Sequence, residues 1–126
     1  MTTLHPFEYV VLRVVPRVDR GESINAGVVL YCQALDYLGC RVHLDRDRLA
    51  ALDPGADALA INRALAAVSD FCGGAGPAAG EQLGRRFQWL AAPRSTVVQP
   101  SAVHTGLTAD PDAELDRLLG TLVLPG

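Results

Sequence analysis

The side chains with chemical capability gather in three places. In segment 93–108, PRSTVVQPSAVHTGLT, Arg94 and His104 are the ionisable groups among Ser95, Thr96, Gln99, Ser101, Thr105 and Thr108. An arginine among hydroxyls can bind an anion, the guanidinium supplying charge and the hydroxyls supplying donors. The same hydroxyls can instead satisfy their own backbone. Ser101 and His104 are of the types needed for a nucleophile and its base, but a three-residue spacing in a loop fixes no geometry and no oxyanion hole accompanies it. The second place is segment 16–25, PRVDRGESIN, longer than a plain hairpin connection and carrying Arg17, Asp19, Arg20, Glu22 and Asn25. Its arginines can orient a carboxylate or phosphate through forked hydrogen bonds, or pair with the neighbouring acids and stiffen the loop, which the alternating signs favour. The third is a sheet face. Strand alternation puts Tyr9 with Arg13, Tyr31 with Gln33, and Tyr37 with Arg41 and His43. Together these form one mixed face with Val11, Val15 and Val29, suited to a ligand or a protein partner and equally to solvent.

Other chemistries find no support. All 11 basic residues are arginine, so lysine-dependent Schiff-base chemistry is absent. His5, His43 and His104 with Cys32, Cys40 and Cys72 make no Cys-x-x-Cys or His-Glu-x-x-His spacing, and no metal or cofactor is expected. The glycine-rich run 73–84 has no Lys followed by Ser or Thr and is not a phosphate loop, and neither a Gly-x-Ser-x-Gly elbow nor a dinucleotide fingerprint occurs. A net charge of −3 argues against nucleic acid, whose phosphates require a basic surplus.

These residues must be positioned by a single small domain. At 126 residues, with 49% hydrophobic and 20% charged, the chain builds one core, spanning 1–126 with a flexible linker at about 73–84. Residues 8–15, 26–33 and 37–44 alternate as strands, and the short second connection makes them an antiparallel meander. Asp45 caps a short helix that Asp53-Pro54-Gly55 stops, and Ile61, Leu65, Val68 and Cys72 define a longer one from Asp57 to about Phe71. A short strand is predicted at 86–91 and a stronger one at 95–99, ended by Pro100. Asp110-Pro111 starts a last helix with the stripe Leu115, Leu118, Leu119 and Leu122. The predicted class is α+β: a three-stranded meander plus a C-terminal strand, with helices packed on one face.

The odd number of cysteines in apolar contexts suits buried thiols in a reducing, cytoplasmic compartment. No apolar stretch is long enough for a membrane helix, and the first residues do not read as a signal peptide.

Two segments carry a family resemblance. YVVLRVVPRVDRGESINAGVVLYC, residues 9–32, has Leu-Arg-x-x-Pro followed by Gly-Glu-x-x-Asn-x-Gly-Val, and RSTVVQPSAVHTGLTADPDAELDRLL covers 94–119. Both resemble an uncharacterised bacterial family, domain of unknown function 3037, and segment 45–69 is similar to it as well. The chain departs from that pattern at Ser23 and Ala26, where bulkier apolar residues are usual. The family brings no established activity. The resemblance implies a protein partner, since its members look like neighbours of HipA-like kinases. The resulting expectation is a non-enzymatic binding or accessory protein, with a HipA-like kinase as a partner. The alternative is a small enzyme or ligand-binding domain for an anionic, phosphate-bearing molecule held near Arg13, Arg94, Ser101 and His104. A two-fold homodimer through the sheet is also expected, because a small meander leaves an edge and part of a face uncovered.

Overall fold

The β-branched run at the start of the chain forms strand β1 (His5–Val14), the centre of the molecule. Its alternate residues are buried on both sides, Val10, Leu12 and Val14 on one face and Phe7 and Val11 on the other. The computed structural model describes residues 2–76 and 79–125. Strand β2 (Ile24–Cys32) pairs antiparallel with β1, setting Val10 opposite Val29 and Tyr9 opposite Leu30, with a register shift beside Leu12 and Arg13. A tight turn then leads into β3 (Tyr37–Val42), antiparallel to β2. Asp36 takes a positive φ of 50° there, a conformation a short polar side chain tolerates. The expected meander is present.

The other edge of β1 is occupied twice. Strand β4 (Val98–Pro100) pairs with Leu12–Val14, and β5 (His104–Thr108) pairs with His5–Tyr9. The five-stranded antiparallel sheet thus runs β3-β2-β1 and ends in two short strands laid end to end. The strand expected at 95–99 appears as β4, three residues later at its start. Strand β5 lies in what the sequence presents only as a polar loop.

Among the described residues, four helices complete the α+β fold. In α1 (Arg46–Leu52), the Asp45 carboxylate accepts from the Asp47 and Arg48 amides. In α2 (Ala58–Cys72), Asp57 accepts from Ala60, and in α4 (Pro111–Leu122) Asp110 accepts from Ala113 with Pro111 in the first turn. Each is an N-cap satisfying an otherwise orphaned donor. Helix α3 (Leu83–Ala91) replaces the short strand predicted at 86–91. Its buried residues, Phe87 and Leu90, fall at helical spacing, and its Gln82 N-cap makes no side-chain capping bond, so the usual start signal is missing. The expected flexible linker corresponds to the connection 73–82 between α2 and α3, of which residues 77 and 78 lie outside the described residues.

The helices do not share one face of the sheet, which corrects the sequence expectation. Helices α1, α2 and α3 bury Leu49, Ile61, Leu65, Phe87 and Leu90 against Val10, Leu12, Val14 and Val29. Helix α4 packs on the opposite face, with Leu115 and Leu118 against Phe7, Val28, Leu30 and Cys32. The cause is the uninterrupted apolar run Val28-Val29-Leu30, which offers a hydrophobic surface on both sides and requires cover on both.

Candidate functional site

Strand pairing sorts the expected binding residues onto two faces. Glu8 stands opposite Tyr31, and Tyr9 opposite Leu30, so Tyr31 and Gln33 point to the side of α1–α3 while Tyr9 packs on the side of α4. The single mixed face expected from alternation is therefore split. Alternation fixes which residues of one strand share a side, but the register between strands decides which strands agree.

On the α4 side, Tyr37 and Arg41 serve to hold the helix. The Tyr37 hydroxyl donates to Asp112 at 2.8 Å, and the Arg41 guanidinium donates to Asp112 at 2.9 Å and Asp116 at 3.2 Å. Burial first, and the hydrogen bond to Asp112 second, push the Tyr37 hydroxyl well above the usual phenol range. The hydrogen bond from Tyr37 and the charge of Arg41 hold the Asp112 carboxyl below its ordinary value. Asn25, at the far end of the same helix, donates its amide to the Leu122 carbonyl at 3.0 Å and so caps α4 from outside. His43 is exposed, and its backbone amide donates to Ala26.

The loop residues pair among themselves. Arg17 meets Asp19 at 3.2 Å and Arg20 meets Glu22 at 2.6 Å, all four exposed. The residues considered for an anion site are engaged separately. Ser101 is buried, accepts the Val11 amide on its hydroxyl at 2.9 Å and donates that hydroxyl to the Ala102 carbonyl at 2.8 Å. Arg94 folds back on the end of α3, donating to the carbonyls of Trp89 and Ala92. His104 stacks on Tyr9 with ring centroids 5.2 Å apart. Arg13 lies four residues along β1 from Tyr9, roughly 13 Å at the rise of a strand. The structure does not bring Arg13, Arg94, Ser101 and His104 to one point.

A different constellation is assembled. Helix α3 crosses the sheet without covering the end where β1 begins and β2 finishes, and the uncovered corner forms a groove. Glu8, Tyr31, Gln33, Phe87, Gln88, Ala91 and Val103 line its middle section, of about 430 Å³. It continues past Pro6, Ala34 and Thr105 on one side, and past Asp36, Glu81 and Arg86 on the other. Tyr31 is its centre, common to all three sections and stacked on Phe87 at 5.6 Å. Gly84 makes this approach feasible, since a Cβ there would lie 3.0 Å from the Tyr31 hydroxyl. Among the described residues, the side chains of Glu8, Tyr31, Gln33, Gln88 and Thr105 make no hydrogen bond within the chain. Tyr31 and Thr105 were marked out by the sequence. Phe87 and Gln88 were not, because they sit on the unpredicted helix. Glu8, a lone carboxylate in the apolar run FEYVV, was the available signal for this corner.

Among the described residues, no cluster of His, Cys, Asp and Glu is placed to hold a metal ion, and no helix is long and apolar enough to cross a membrane. No curated protein and no solved structure matches the chain. A family model described as a protein of unknown function, DUF3037, matches residues 9–123. That match takes in the whole sheet from Tyr9 onward, the groove helix and the α4 clamp, and the chain belongs to this family.

Proposed function

We propose that the protein is a non-enzymatic binding module that receives a basic segment of a partner protein in the groove between α3 and the sheet. The observation carrying this reading is the convergence of Glu8, Tyr31, Gln33, Gln88 and Thr105 on one groove with their hydrogen-bonding capacity unspent inside the chain. The apolar surface beside them, including the 45% exposed Val103, supplies area whose burial drives association. Charge sets the sign of the partner. Glu8, Asp36 and Glu81 line the groove, and its one guanidinium, that of Arg86, is spent on the Glu81 and Cys72 carbonyls at 3.0 and 3.2 Å. An arginine or lysine side chain complements that surface, whereas a phosphate-bearing small molecule is repelled by it. The family resemblance makes a HipA-like kinase the partner to test first.

The test is calorimetric titration of the chain with a HipA-like kinase encoded beside it. Glu8→Arg, at an exposed site, is expected to weaken binding about tenfold or more, a loss of ~1.4 kcal/mol or greater. Arg46→Glu, on α1 away from the groove, leaves it unchanged. No binding, or binding indifferent to Glu8→Arg, overturns the reading. Light scattering addresses the competing occupant, a second copy of the chain. A doubled mass that Tyr31→Glu returns to the 13.4 kDa of one chain puts a homodimer in the groove instead of the kinase.

A further inference from the structure

The outer edge of β5 has no strand beside it, and its backbone polarity can be read from the register. The Val11 amide and carbonyl both bond to Ser101, so the main chain of Val11 faces the side of β4 and β5. Alternation along β1 turns the main-chain groups of Tyr9, Phe7 and His5 the same way, toward His104, Gly106 and Thr108, their partners in register. Thr105 and Leu107, the residues between, therefore direct their amides and carbonyls away from β1, and among the described residues nothing receives them. The strand is also thinly covered. Among the described residues its one extensive contact is with β1, and the Leu107 side chain is 63% exposed. Natural sheet edges are usually blunted by charge, by proline or by a covering element. Segment 103–108, VHTGLT, contains no proline and no Asp, Glu, Lys or Arg. The opposite edge of the sheet is guarded, since β3 is packed by α2 and α4 and carries Arg41 paired with Asp112 and Asp116.

We propose that β5 is a dimerisation strand, which pairs antiparallel with β5 of a second copy across a two-fold axis at Gly106 and joins the two sheets into one. In that register Thr105 faces Leu107 of the second copy, and Leu107 faces its Thr105. Each of these symmetric pairs exchanges two main-chain hydrogen bonds, which uses every outward amide and carbonyl of both residues. The edge is thus complementary to itself, and this selects a second copy over an unrelated strand.

The side chains agree with that register. Gly106, on the axis, has no side chain to meet its counterpart, and the space a Cβ would take is filled by the Phe7 ring, 2.6 Å from that position. Val103 and Thr105 line the groove side of the sheet, and alternation places Leu107 with them. Leu107 then lies diagonal to Leu107 and Val103 of the second copy, near enough for long side chains to touch, so exposed apolar surfaces cover one another. The absence of formal charge in 103–108 leaves no like charges opposed across the axis. Because the β3 edge is guarded, pairing closes at two copies instead of propagating. A single pair of short strands buries less than the roughly 1,200 Å² of a standard stable interface, so the dimer is weak and concentration-dependent. It is also separate from the groove's occupant, since Tyr31 stands on β2, with β1 between it and the pairing strand.

The experiment uses the parent chain alone, from micromolar to millimolar concentration. Light scattering is expected to show the mass climbing from the 13.4 kDa of one chain toward twice that value. Amide hydrogen exchange read by NMR locates the contact. The Thr105 and Leu107 amides are expected to exchange freely in the dilute sample and about tenfold more slowly in the concentrated one, while those of His104, Gly106 and Thr108, bonded to β1, are protected in both. Leu107→Pro removes an outward amide without breaking a bond to β1, and is expected to hold the mass at that of one chain at every concentration. Leu107→Lys keeps the backbone intact and sets two ammonium groups near each other across the axis, weakening association about tenfold or more. A single-chain mass throughout overturns the proposal, as does a dimer indifferent to Leu107→Lys or one that leaves Thr105 and Leu107 exchange unchanged. A dimer that Tyr31→Glu dissociates and Leu107→Lys does not lies in the groove, and also overturns it.

Discussion

Val11 and Ser101 exchange two hydrogen bonds across the gap between β4 and β5. The Val11 amide donates to the Ser101 hydroxyl at 2.9 Å, and the Ser101 amide donates to the Val11 carbonyl at 2.8 Å. The hydroxyl stands in for a missing backbone partner where the fourth strand is interrupted. This explains why the densest polar segment of the sequence contains a buried serine: it satisfies the central strand.

Ser101→Ala leaves the Val11 amide buried without an acceptor, at a cost of about 1–3 kcal/mol. Chemical denaturation is expected to show that loss as a lower midpoint at unchanged slope. A variant as stable as the parent would mean that another group or a water replaces the hydroxyl.

Gly27, in the Asn-x-Gly-Val motif, sits opposite Val42 of β3. A Cβ there would lie 2.8 Å from the Arg41 carbonyl oxygen and 3.1 Å from both Leu12 and Val42 side-chain carbons. The first of these neighbours is backbone and cannot rotate away. Gly27→Ala is expected to destabilise the fold by about 1–3 kcal/mol, the usual range for overpacking, and thermal melting would read it. Together with the Asn25 cap on α4, this gives the motif a structural explanation in place of the ligand-binding one considered from sequence.

The Tyr37 and Asp112 pair makes stability fall at both ends of the pH scale. Asp112 is held below its unfolded value, so its contribution is present above about pH 4 and lost as pH drops through the folded value. Tyr37 is raised above its unfolded value, so its contribution is present below about pH 10 and lost as pH climbs further. In Tyr37→Phe the alkaline loss is expected to shrink, measured as the denaturation midpoint against pH from 8 to 11. An identical alkaline limb in parent and variant would contradict the pairing.

Much of the scaffold was legible because its signals are local. Asp45, Asp57 and Asp110 announce three helix starts, and the turn after Gln33 announces the β2–β3 hairpin. What was hidden depends on distant partners. Helix α3 lacks a capping side chain, and β5 reads HTGLT, with little burial of its own and an identity supplied by pairing with β1. The groove inherits both omissions: one wall is α3, and its far lip includes Thr105 of β5. Its position also depends on which strands agree in facing, a property of register rather than of any one segment. Hence Tyr31 and Tyr9 looked alike in the sequence and stand on opposite faces in the fold.

The placement of β1 also orders events during synthesis. It acquires β2 from the segment that follows it, but the chain that closes its other edge lies 90 residues downstream of Val11 at Ser101. Until that stretch leaves the ribosome, β1 presents a bare row of amides and carbonyls flanked by valines, the kind of surface that recruits strands from other nascent chains. Completion of the sheet waits on closure of a 90-residue loop, the slow step in folds dominated by non-local pairing. The second edge of β1 is therefore uncovered in the interval between the emergence of β2 and that of β4.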